Sequence, residues 1–275
     1  YSCMAGRLYI ALAYKQLYGK NNIPTVEQLH QRMFEAGLMV KLNYSKEDYA
    51  YVQSIINHDL DCKSTQYEFQ QLRYKYALRN KKTGQEFETP QFVYMRMAMA
   101  LAEEEPGETR LQDVTKWYEH FSHKRINPPT PNFTNLGTNL RGYASCCLYT
   151  VDDNVHSLAT GDHIAYIMTA MSAGIGAHMK TRSIGDHVRQ GLMEHQGKLP
   201  YYKSLVGAIG ANLQNGRGGA ATVHYTCFDP EVEVIHKLKN PMTPANKQVR
   251  GCDYSFGSNK FFARKVARNE DIALF

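Results

Sequence analysis

Pro-Pro-Thr-Pro-Asn-Phe-Thr-Asn-Leu-Gly-Thr-Asn-Leu-Arg-Gly-Tyr-Ala-Ser-Cys-Cys, residues 128–147, is the stretch on which the reading of this chain turns. Its prolines fix φ and its glycines relax it, which predicts a turning segment rich in hydroxyls and amides. That segment feeds a short apolar piece at 143–151 with the texture of a strand. Successive strand side chains point to opposite faces, so Cys146 and Cys147 cannot both look into one cleft. The pair reads either as two small buried hydrophobes or as one packing residue beside one that faces a site.

Downstream lie two glycine-dense turns, Ala173-Gly174-Ile175-Gly176 and Asn215-Gly216-Arg217-Gly218-Gly219-Ala220-Ala221, each beside apolar runs. Glycine at this density marks a close backbone approach or a positive φ. A second strand is predicted at 220–227 and helices at 157–172, 201–209, 230–237 and 258–267. Strand, helix and strand in sequence argue for parallel pairing with right-handed crossovers.

Upstream, residues 1–127 carry helical signals. Tyr1, Met4, Ala5, Leu8, Ala11 and Leu12 share one helical face, and Gly19 ends it. A capping box at Thr25/Gln28 opens a second helix, and a third begins at Ser45 with Asp48. Residues 74–89 alternate around Lys82-Thr83-Gly84 and predict a β-hairpin. Helices at 90–105 and 108–123 complete the region, with Met95, Met97, Met99, Trp117, Tyr118 and Phe121 as core. His58, Asp59 and Asp61 have no metal-ligand spacing and read as a helix terminus and turn.

The chain has 275 residues, 43% of them hydrophobic, enough for one large globular domain or two ordinary ones. Six cysteines without a Cys-x-x-Cys do not form a disulfide framework or a zinc site. A net charge of +6, scattered and without an arginine-aromatic patch, argues against a nucleic-acid interface. No apolar run reaches about 18 residues and no signal-peptide pattern is present, which makes the cytoplasm the default expectation.

Pro129-Thr130-Pro131, Ser145-Cys146 on a strand, Ala-Gly-Ile-Gly at 173–176 and Arg-Gly-Gly-Ala-Ala at 217–221 form an order that resembles the large catalytic subunit of aerobic class I ribonucleotide reductases of the bacterial and phage type. Lys239-Asn240, Asp253-Tyr254 and residues 270–275 carry the resemblance over essentially the whole chain. It implies an α/β fold: a mostly helical domain at 1–127, then at 128–275 the first half of a ten-stranded α/β barrel with substrate and specificity sites. It also implies an internal piece of a longer polypeptide, because the family's ATP cone precedes this region and its radical cysteine and second redox cysteine follow it. Apolar residues at the end, Ile272, Leu274 and Phe275, fit that expectation.

The same resemblance assigns candidate roles. Cys146 matches the redox cysteine directly after Ser145, leaving Cys147 to packing. Two thiols supply two electrons by becoming a disulfide, which is what replacing a ribose 2′-hydroxyl by hydrogen requires. Thr130, Ser145 and the Gly174 backbone match substrate-holding positions. Asp153, Asn154 and Val155 match the segment near an effector sugar, and Arg182 and Arg189 the loop that holds its phosphates, a task suited to planar guanidinium forks. Placing Arg189 takes a one-residue deletion, and His178 stands where many relatives have Asn. Residues 214–219, with Arg217 reaching the substrate base, match a mobile loop linking effector to substrate. Read without that order, Thr130 is a turn residue and each arginine an ordinary surface residue.

The implied function is ribonucleoside-diphosphate reduction by thiyl-radical chemistry under ATP and deoxynucleotide control, the isolated chain being inert. No metal or cofactor is expected in this chain; the radical-generating metal centre belongs to a separate small subunit. Further implied partners are a second copy of the chain and thioredoxin or glutaredoxin. The alternative is a non-catalytic nucleotide-binding and dimerisation remnant, and retention of Cys146 argues against it.

Overall fold

The computed structural model describes residues 2–19, 22–171, 173–211 and 219–275. They form two compact units, 1–143 and 144–275. The first unit contains α1 (Ser2–Tyr18), α2 (Val26–Glu35), α3 (Lys46–Ile55), α4 (Gln66–Gln71), α5 (Pro90–Ala102), α6 (Gly107–Ser122) and α7 (Thr130–Asn135). The capping box expected at Thr25 is formed, and Ser45 forms a second one: each accepts from the backbone of Gln28 or Asp48, whose side chain reaches back. The centre is α5, almost every residue of which is buried, including Met95, Met97 and Met99. Tyr118 and Phe121 of α6, with Val26, Leu29 and Met33 of α2, close around it.

Three expectations are corrected here. The bulky stripe on α1 faces outward: Met4, Leu8 and Leu12 are exposed, whereas Gly6, Ile10 and Ala13 are buried. A Cβ on Gly6 would stand 3.1 Å from the Ser64 carbonyl oxygen, so the small-residue face is the one that approaches its neighbour. The hairpin at 74–89 shrinks to one bridge between Arg79 and Glu86. Its turn survives, with Asn80 Oδ1 accepting from Lys82 and Thr83 and Gly84 at φ +72°, but its first arm is a π-helical turn, Leu72–Tyr76, continuing α4. The loop at 128–147 contains α7, whose Phe133, together with Leu136, enters the helical core. This holds the segment in the first unit, so that the units divide at 143/144 rather than at the expected 127/128.

A buried ion pair fixes α7. Glu88 and Arg96, both wholly inaccessible, pair at 2.6 Å, and Arg96 also donates to the carbonyls of Phe133 at 2.9 Å and Leu136 at 2.5 Å. Glu88 takes the Leu78 N–H at 2.7 Å. Every strong polar group in this knot has a partner, which is the condition for burying charge without a large penalty.

The second unit contains β1 (Cys146–Val151), α8 (Val155–Ala170), β2 (Gly174–Met179), the short β3 (His187–Val188) and β4 (Met193–Glu194), α9 (Leu199–Ala211), β5 (Ala221–Thr226), α10 (Val232–His236), β6 (Asp253–Gly257) and α11 (Lys260–Ala267). β1, β2, β5 and β6 form one parallel sheet in that order, as βαβ crossovers require. The parallel α/β expectation holds, and the Ala-Gly-Ile-Gly turn becomes the start of β2, an interior strand. Residues 147, 149, 151, 175, 177, 179, 221, 223 and 225 face α8 and α9 and pack on Ala165, Tyr202, Leu205 and Ile209. Gly161 lets α8 lie close to β1, since an added Cβ would meet Val151 Cγ1 at 2.6 Å.

Candidate functional site

The other face of the sheet carries the candidate site residues of the first two strands. The registers align Cys146 with Gly174, Leu148 with Gly176 and Thr222, and Thr150 with His178 and His224. In the second unit these side chains are exposed or half-buried, and only Gly176 is buried. Cys146 is exposed and Cys147 half-buried against the core, the division that strand alternation predicts.

Ser145, Cys146 and Gly174 are brought together at the start of β1 and β2. The Ser145 hydroxyl lies 3.8 Å from Cys146 Sγ, and the Gly174 N–H donates to the Ser145 carbonyl at 2.8 Å. A Cβ on Gly174 would sit 3.9 Å from Cys146 Sγ, so glycine leaves the space beside the thiol open. Ala220 arrives at the same end, its carbonyl accepting from the Ile175 N–H at 2.9 Å. Arg217 lies outside the described residues, as does 214–218 of the expected mobile loop. Thr130 falls in the first unit, as the first residue of α7.

A second constellation lies beyond the other end of the same strands. Six residues of β1 at about 3.3 Å each put it roughly 20 Å from Cys146. Asp153 follows β1 and Arg182 follows β2, and they pair at 2.7 Å through Arg182 Nε. Asp153 also takes the Arg182 N–H at 3.2 Å, while Arg182 Nη1 donates to the His187 carbonyl at 3.1 Å. The carboxylate thus aims the guanidinium and leaves part of its fork to solvent. Asn154 caps α8 by accepting the Ser157 N–H at 2.8 Å, and Val155 starts that helix, largely exposed. Arg189 stands at the tip of the β3–β4 hairpin, exposed and in the left-handed region at φ 50°, followed by Gln190 at 60° and Gly191 at 86°. Among the described residues it has no ion-pair partner. His178 is shifted down by burial and then by Lys180, Lys198 and His224, so it is a neutral donor or acceptor at neutral pH.

The segment that carries these arginines is held by residues that sequence reasoning passed over. Lys198 and Asp229 form a buried ion pair, and the buried Glu231 accepts the N–H groups of Ile184 at 3.2 Å and Lys198 at 3.1 Å. In sequence, Asp229-Pro230-Glu231 looks like any acidic helix start. That its partners are backbone groups 33 and 47 residues upstream has no local signature.

Residues 63–141 match the ribonucleotide reductase all-alpha domain, and residues 144–275 the ribonucleotide reductase barrel domain. The chain belongs to the ribonucleotide reductase family. Over its full length it is 32% identical to the ribonucleoside-diphosphate reductase 1 subunit alpha of Escherichia coli strain K12, and over 84% of its length 34% identical to the subunit alpha of Enterobacteria phage T4. It is 27% identical to the subunit alpha of Chlamydia trachomatis serovar D. The chain spans 37% of the length of the Escherichia coli relative and 31% of the phage one. The reductase barrel accounts for the parallel sheet with its helices on one face, and the all-alpha domain for the methionine-rich core around α5. No helix among the described residues is long and apolar enough to cross a membrane.

Proposed function

We propose that this chain supplies the substrate face and the effector site of a ribonucleoside-diphosphate reductase large subunit. The gathering of Ser145, Cys146 and Gly174 on the open face of the sheet carries the reading. An exposed thiol beside a hydroxyl and an unobstructed glycine backbone suits a ribonucleotide that must offer its ribose to sulfur. Loss of the 2′-hydroxyl as water and its replacement by hydrogen takes two electrons, and two thiols give them by joining as a disulfide; Cys146 is one of the two. The family resemblance names Thr130 and Arg217 as further substrate-binding residues. Removal of the 3′ hydrogen belongs to a thiyl radical on a cysteine elsewhere in the polypeptide, started by a metal-bearing small subunit. Thioredoxin or glutaredoxin returns the disulfide to thiols.

Asp153, Asn154, Val155, Arg182 and Arg189 form the effector site, binding ATP or a deoxynucleoside triphosphate where two copies of the chain meet. The Asp153–Arg182 pair supports this, since it holds a guanidinium in one orientation for bidentate contact with phosphate oxygens. Calorimetry with dTTP and ATP tests it. Saturable binding that Arg182→Ala abolishes and that brings dimerisation is expected; a folded chain that binds neither nucleotide refutes the effector site.

A further inference from the structure

The β3–β4 hairpin has a weak frame of its own. Its ladder is two residues on each side, and its tip runs through three consecutive left-handed residues, two of them not glycine. The wider segment is nevertheless closed on itself. The His195 N–H donates to the Asp186 carbonyl at 2.8 Å and the Gly185 N–H to the His195 carbonyl at 2.9 Å. The Gly197 N–H donates to His195 Nδ1 at 3.1 Å, which leaves the proton on Nε2 to reach the Tyr201 hydroxyl at 3.3 Å. Both ends of the segment then converge on one side chain.

We infer that Glu231 is a positioning residue for the effector site, a carboxylate clasp that joins residues 184 and 198 and so sets where Arg182 and Arg189 stand; the inference rests on reading that site as anion-binding. Oε1 accepts from Ile184 and Oε2 from Lys198. Gly197, at φ +78°, presses its backbone onto the same carboxylate, where an added Cβ would come within 2.7 Å of Oε2. Asp229 sets the clasp from below. It takes the Glu231 N–H at 2.9 Å and pairs with the Lys198 ammonium, so one lysine is gripped at both its backbone and its side chain. A carboxylate suits this task because both its oxygens accept, whereas an amide of the same shape offers one acceptor and turns a donor toward the other N–H.

The test is dTTP titration of the chain and of Glu231→Gln, with amide exchange read residue by residue. The expected result is at least about a tenfold loss of dTTP affinity, faster exchange at Ile184 and Lys198, and unchanged exchange in β1 and β2. Gly197→Ala, reached from the other side of the contact, gives the same pattern and guards against a peculiarity of the glutamine. Wild-type affinity in Glu231→Gln, or unchanged exchange at 184 and 198, overturns the clasp. Absence of dTTP binding in the wild-type chain overturns the effector reading instead, a different result in a different sample.

Discussion

The two units bury their polar side chains to different ends. In the helical unit, Glu88 and Arg96 are wholly enclosed and tie backbone carbonyls of α7, while Asp61 takes hydrogen bonds from Tyr14 at 2.7 Å and Gln91 at 2.8 Å. These groups are satisfied by one another and face no opening. In the sheet unit, Cys146, Thr150, His178 and His224 are exposed or half-buried along one face, and the buried Lys198–Asp229 pair anchors one end of a segment on which Arg182 is half-buried and Arg189 exposed. Charge in the first unit specifies packing. Charge in the second ties backbone groups of a loop and, at Asp153, holds an arginine side chain at the surface.

The sharpest way to break this contrast is Glu88→Ala. It strands Arg96 without its counter-ion and should cost about 3–5 kcal/mol, seen as early loss of helical signal in urea. A cost under about 1 kcal/mol would mean that water reaches the pair.

Titration sharpens the contrast next. Burial raises Asp61 to about 6, so its contribution is full below its ordinary value of 3.8 and is lost as pH rises through 6. Burial, reinforced by Arg96, lowers His30 to about 3, so its contribution is present above 6.5 and is lost as pH falls toward 3. The two slopes oppose each other between pH 4 and 6. Asp61→Asn removes one of them, and its stability relative to wild type should rise by roughly 2 kcal/mol across that interval in urea melts.

Two glycines compare the faces of the sheet. Gly161→Ala drives a methyl to 2.6 Å from Val151 on the packed face and should cost about 1–2 kcal/mol. Gly176→Ala meets Leu148 Cδ2 at 2.2 Å, a closer contact, yet Leu148 is 76% exposed and swings away, so the cost should stay under about 0.5 kcal/mol. Equal costs would show that the second face is covered. Smallest of all is Cys146→Ser, expected to leave the melting temperature unchanged while removing the fastest-reacting thiol of the second unit.

Local signals carried the elements that local physics builds. Thr25 and Ser45 announced their helices because a cap is made within four residues, and the alternation at Cys146 and Cys147 followed from strand geometry alone. Failures came where a distant neighbour decided the outcome. Gly6 turned α1 over because another helix approaches it, and the glycines of β2 read as a turn although they open an interior strand, a pairing set by β1 and β5 rather than by the local sequence. Asp153 and Arg182, singled out by their order, meet in one ion pair although 29 residues separate them. Glu231 was not singled out, since its partners are backbone groups that any sequence supplies.

The proposed role of Cys146 at a ribonucleotide site requires its thiol to lie open there, and alkylation of the native chain, read peptide by peptide with and without CDP and dTTP, tests that directly. Cys146 should react faster than Cys147, slow at least several-fold when both nucleotides are present, and leave the exposed Cys62 unaffected. Nucleotides that leave the Cys146 rate unchanged, or a Cys147 that reacts first, would contradict the assignment of this face and of its thiol.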